Sequence, residues 1–69
     1  MAHNLTEREL FIARLVADGC KNREIAAITG NTEQSIKNRM RMIFDKLGLW
    51  NRTELALWYM RNIEHKRGD

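Results

Sequence analysis

Five polar side chains in the stretch TEQSIKNRMRMIFDKLG, residues 32–48, recur on one side of any helix it forms: Gln34, Lys37, Asn38, Arg41 and Asp45. At about 100° per residue they stand one turn above another, while Ile36, Met40, Ile43 and Leu47 make the opposite, apolar stripe with Phe44 on its shoulder. Lys37 and Arg41 are four residues apart, a spacing at which like charges repel by roughly a few tenths of a kcal/mol. An external anion would offset that cost. The chemistry such a stripe can do is hydrogen bonding rather than bond making. An amide matches the donor and acceptor edge of adenine and a guanidinium the paired acceptors of guanine, so Asn38 and Arg41 are chemically suited to such contacts and Lys37 stands beside them on the same face. Arg41 could also pair with Asp45, but a solvent-exposed ion pair contributes only about 0.2–1 kcal/mol and a base edge could displace it. No Ser, Cys, His or carboxylate lies at a spacing that suggests a nucleophile with its base. The chain is also too short for an ordinary enclosed pocket, so neither an enzyme nor a small-molecule site is expected.

Length sets a second bound. Sixty-nine residues are expected to form one domain, and a chain of this size buries only about 60% of the surface its unfolded form exposes. Small domains usually add a disulfide, a metal or a partner. Cys20 is the only cysteine, and His3 and His65 sit near opposite ends with no cysteine pair beside them, so no metal or other cofactor is expected. A partner remains. Twelve Lys and Arg against nine Asp and Glu give a net charge of +3 and a pI near 9.5, with eight arginines among the twelve, a balance that suits a nucleic-acid partner. The longest apolar run, residues 55–60, is far below the roughly 20 residues of a membrane span, and the start lacks the pattern of a signal peptide. The expected location is the cytoplasm, with no membrane partner.

The elements that must hold the stripe are four helices, at about 7–18, 22–29, 33–47 and 52–65. Glycines at 19, 30 and 48 separate them. Thr6 with Glu9 reads as a capping box and Leu5 as the matching hydrophobic staple; Thr32 caps the third helix, and Asn51 with Glu54 repeats the box at the fourth. Ile12, Leu15 and Val16 give the first helix its buried face, and Ile25, Ala26 and Ile28 the second. No segment alternates with a period of two for long, so the expected fold is all-α, a compact four-helix domain. Its second and third helices are joined by a short glycine turn, the arrangement of a helix-turn-helix.

The blocks LTERE, DGCKNREIA, TEQSIKNRMRMIFDKLG and NRTELA, in that order and spacing over residues 5 to about 60, resemble the LuxR/GerE-type helix-turn-helix family. The resemblance implies a bacterial transcription regulator that binds double-stranded DNA in a sequence-dependent way. The third helix would lie in the major groove and the fourth would help pair two copies into a homodimer. Matched position by position, Lys37, Asn38 and Arg41 fall on groove-facing positions, Ser35 on a hydroxyl near the phosphates, and Lys21, Asn22 and Arg23 on the start of helix 2 that touches the backbone. Gln34 and Lys46 complete the expected phosphate set. Three departures stand out. Thr29 and Asn31 occupy turn positions usually held by leucine and isoleucine, leaving Ile28 and Ile36 to pack the turn; Arg39 replaces a frequent histidine; and Lys21 replaces the usual Ser or Thr cap.

The fourth helix offers another surface. Leu55, Tyr59 and Ile63 fill one face, yet Ala56, Leu57, Trp58 and Met60 spread apolar groups around most of the rest, and exposed patches of that kind mark contact sites. Leu57, Trp58 and Met60 are therefore the expected dimer interface, unless Trp58 folds back on the first helix. The alternative reading is a protein-interaction module that docks on another regulator through helix 4, with Trp50, Trp58 and Met60. Glu9, Glu24 and Arg52 are expected in capping and interhelix pairing, and Cys20 as a small filler beside Gly19.

Overall fold

Helix α1, Glu7–Ala17, begins where a hydroxyl and a carboxylate exchange backbone donors: Thr6 Oγ1 accepts from the Glu9 amide at 3.1 Å, and Glu9 Oε1 accepts from the Thr6 amide at 2.9 Å. This is the expected capping box, and Leu5 beside it is buried. The computed structural model describes residues 4–64, and α2 spans Asn22–Thr29, α3 Glu33–Leu47 and α4 Arg52–Tyr59. No strand occurs among the described residues. Thr32 caps α3 by accepting from the Ser35 amide at 3.1 Å. Helix α3 ends at Gly48, whose φ of 69° a side chain would strain. Asn51 caps α4 by accepting from the Glu54 amide at 3.0 Å, but the Glu54 carboxylate reaches one residue further back than the expected box, to the Trp50 amide at 2.6 Å. Helix α4 is also shorter than expected, because from Met60 to Glu64 the chain widens into a π-turn. His3 and His65 lie outside the described residues.

Each helix gives the core at least one fully buried side chain: Ile12 from α1, Ile25 from α2, Ile36 and Ile43 from α3, Leu55 from α4. Burying a side chain of this size contributes about 1.5–3 kcal/mol, and all four helices share one core. Helix α1 packs on α4 and α2 on α3, within a body of 35 × 22 × 20 Å. The apolar stripe of α3 is buried through Ile36, Met40 and Ile43, with Phe44 and Leu47 packed at its margin. One expectation fails. Ile28 is 54% exposed, so the second helix buries only Ile25 and Ala26.

A charge pair ties the two halves together. Lys46 near the end of α3 donates to Glu9 Oε1 and Oε2 at 2.8 and 3.0 Å and to the Asn4 carbonyl at 3.4 Å. Glu9 is 5% exposed. Burial by itself would raise its pKa; the Lys46 hydrogen bonds, the Thr6 amide and the nearby positive charge outweigh that and hold the carboxyl below its ordinary value. A carboxyl held low stabilises the fold fully above the unfolded value, about 4.3, and the contribution is lost as pH falls through the lower folded value. Glu9→Gln is therefore expected to remove part of the fall in Tm below about pH 4.5. Lys46→Met should cost about 1–3 kcal/mol in urea unfolding at neutral pH, less than a fully enclosed pair because the Lys46 side chain keeps 30% of its exposure.

Candidate nucleic-acid interface

The outward stripe of α3 is placed by what precedes it. Gly30, at φ 72°, turns the chain out of α2, and the Ala26 carbonyl accepts from both the Gly30 and Asn31 amides. The turn is then fastened by side chains. Thr29 Oγ1 donates to the Ile25 carbonyl at 2.8 Å, and Asn31 Nδ2 donates to Thr29 Oγ1 at 2.9 Å and to the Thr29 carbonyl at 3.3 Å. These polar bonds take the part expected of Ile28.

Downstream, Gln34, Lys37, Asn38 and Arg41 are exposed and Ser35 is half-buried. Gln34 Nε2 donates to Asn38 Oδ1 at 3.2 Å, an i, i+4 bond that leaves the Asn38 nitrogen to donate elsewhere. The ion pairs among the described residues are Glu9–Lys46 and Arg14–Asp18, so Asp45 does not hold Arg41. Lys37 and Arg41 thus face solvent one turn apart with no carboxylate bound to either.

The start of α2 joins this surface through Arg52 at the start of α4. Its Nη1 donates to Asn22 Oδ1 at 2.7 Å and its Nη2 to the Cys20 carbonyl. Asn22, Lys37, Met40, Arg41, Phe44 and Arg52 line one shallow groove, so the sequence-derived residues Asn22, Lys37 and Arg41 come together. Lys21 and Arg23, the sequence neighbours of Asn22, are exposed. Lys21 has no acceptor with which to cap α2, and only the Glu24 half of that box forms, accepting from the Lys21 amide at 2.7 Å. Lys46 is not in this group: five residues beyond Arg41, it lies about 140° further round the helix and is held by Glu9. Its ammonium is bound to Glu9 and to the Asn4 carbonyl. Sequence reasoning missed Arg52 as a wall of the groove, since its partners lie 30 and 32 residues away.

The sequence pattern described as "GerE: Bacterial regulatory proteins, luxR family" matches residues 3–59. The chain belongs to the LuxR family of bacterial regulatory proteins. This LuxR-family domain is 42% identical over 53 residues to the HTH-type transcriptional regulator AlkS of Ectopseudomonas oleovorans, covering 77% of this chain and 6% of that protein. It is 40% identical over 50 residues to the transcriptional regulatory protein YdfI of Bacillus subtilis, covering 72% and 24%. It is 37% identical over 54 residues to the response regulator protein VraR of Staphylococcus aureus, covering 78% and 26%. The chain therefore spans about a quarter or less of the relatives it matches. Within the LuxR-family domain, Arg39 is half-buried, and its Nε is shielded from solvent with no hydrogen-bond partner among the described residues.

Arg52 works as a fork, two nitrogens on two acceptors, and a lysine ammonium on a flexible stem does not reproduce that geometry. Arg52→Lys should therefore lower unfolding stability by about 1–2 kcal/mol and shift the backbone amide resonances of residues 20–23, while the helical circular dichroism stays near that of the parent.

Proposed function

We propose that this domain binds double-stranded DNA in a sequence-dependent way and serves bacterial transcription regulation, with α3 lying in the major groove. The observation that carries the reading is the exposed, carboxylate-free pair Lys37 and Arg41 flanking Asn38 on a helix that follows a braced turn. Two cations kept one turn apart without counter-charge suit a polyanion, and the amide between them adds a group able to read a base edge. Lys37, Asn38 and Arg41 read bases in this proposal, and Lys21, Asn22, Arg23, Gln34 and Ser35 set the position on phosphates. Family membership and relatives named as transcriptional regulators support it. The role is binding rather than catalysis, and its place is the cytoplasm. No helix among the described residues is long and apolar enough to cross a membrane.

Pairing into a homodimer on DNA is part of the proposal. Leu57 and Met60 are 42% and 47% exposed and share a shallow groove with Arg61 and Glu64. Under a two-fold axis, an apolar pair flanked by one cation and one anion is complementary to itself. Trp58 is half-buried and packs against the core, so Leu57 and Met60 carry the seam and Trp58 supports it from behind. Two copies would set their α3 helices on successive major grooves, about 34 Å apart.

Selection of bound duplexes from a random pool supplies the test site. Arg41→Ala should cost about 1–3 kcal/mol on it and relax the preference at one base position; unchanged affinity and preference would remove α3 from the groove. Parent affinity should fall steeply with added salt, as counterion release requires, whereas a salt-insensitive complex would favour docking on another regulator. Leu57→Glu should keep single-half-site affinity and lose roughly ten- to a hundredfold on the two-half-site duplex, since only joint engagement gains from effective concentration. Sedimentation of the complex should then show one chain per duplex in place of two.

A further inference from the structure

Trp50 is 87% exposed, more than any other large apolar side chain among the described residues. An indole left in water is unfavourable by the free energy that burying it would return, and nothing in the fold or the proposed dimer seam uses it. Its backbone is nevertheless held firmly. On one side the Leu49 amide donates to the Phe44 carbonyl at 2.9 Å behind the Gly48 cap. On the other the Trp50 amide itself donates to Glu54 Oε1 at 2.6 Å. Leu49 packs toward the core while Trp50 stays out, so the loop presents one aromatic ring from a fixed point.

That point adjoins the α3 surface. Trp50, Arg41, Phe44 and Asp45 line a common groove, and Arg41, Phe44 and Lys37 line the groove shared with Asn22 and Arg52. The two grooves meet along Arg41 and Phe44. A duplex engaged by Lys37 and Arg41 therefore brings its sugar-phosphate backbone past the loop between α3 and α4. A cation in that loop would have Asp45 as a competing partner. An indole avoids the competition, because its ring can cover the apolar face of a deoxyribose while its single N–H donates to a phosphate oxygen.

We propose that Trp50 is a DNA-positioning residue that packs on the deoxyribose-phosphate backbone flanking the bases read by α3. This rests on the DNA-binding reading above and adds a contact that carries no charge. The contact therefore has a signature of its own. A neutral ring releases no counterion, whereas each phosphate neutralised by a cation contributes about −0.9 to the slope of log K against log salt.

The experiment measures binding of the chain to a duplex selected from a random pool, from about 50 to 200 mM salt, for the parent, Trp50→Ala, Trp50→Phe and Lys21→Ala. Trp50→Ala should weaken binding about tenfold, the equivalent of roughly 55 Å² of ring kept from water, with the parent's salt slope; Trp50→Phe should restore most of it. Lys21→Ala, which removes a proposed phosphate contact, should weaken binding and lower the slope by about one. In a Trp58→Phe background, Trp50 emission should become protected from acrylamide when the duplex is added. If Lys21→Ala weakens binding while Trp50→Ala does not, or if Trp50 stays open to acrylamide in the complex, the positioning role is wrong and the DNA-binding reading stands. Should Trp50→Ala instead alter the number of chains per duplex, the ring belongs to a protein contact and the inference is overturned. If no duplex is selected, both readings fall together.

Discussion

One carboxylate organises this domain. Glu9 sits in the core with three donors aimed at it: the Thr6 amide, which begins α1, and two contacts from the Lys46 ammonium, which ends α3. A charge at 5% exposure is tolerated only while its partners stay in place, so the start of α1 and the end of α3 cannot slide independently. The apolar side chains bring four helices together without dictating how far each turns about its own axis. The pair does dictate it at one end of α3, and Ile36 and Ile43 do so along its length. The direction in which Lys37, Asn38 and Arg41 point is a consequence of that double fixing.

Local chemistry was the legible part of the fold. Thr6, Thr32 and Asn51 each hold a helix start through a bond to an amide three residues on, and Gly30 and Gly48 each end one at positive φ, because such devices depend on neighbours within one turn. The buried stripe of α3 was legible for the same reason, since fifteen residues give the helical period four cycles in which to show itself. Helix α2 has only eight residues, too few for the period to distinguish Ile25 from Ile28, and Ile28 emerged on the outside. What eluded the sequence was contact across the chain. Glu9 and Lys46 are 37 residues apart and Arg52 and Asn22 are 30 apart, and nothing in the spacing of either pair announces that they meet. Among the candidate interface residues, exposure on α3 followed from the wheel, whereas the joining of Asn22 to that surface followed from the Arg52 fork.

The turn between α2 and α3 shows how one geometry can rest on different chemistry. Thr29 and Asn31 close the corner with hydrogen bonds to each other and to Ile25 rather than with aliphatic packing, Ile28 standing outside. Such bonds are directional, so the corner is specified by angles rather than by volume.

Helix α3 divides its residues cleanly. Ile36, Met40 and Ile43 face inward and Gln34, Lys37, Asn38 and Arg41 face solvent, and no side chain of the outer set is buried in the core. The outer set can consequently be rewritten with little effect on the core: an exposed substitution there is expected to change stability by no more than about 0.5 kcal/mol. The face that α3 shows to solvent and the packing that holds α3 in place are therefore separable properties of one helix.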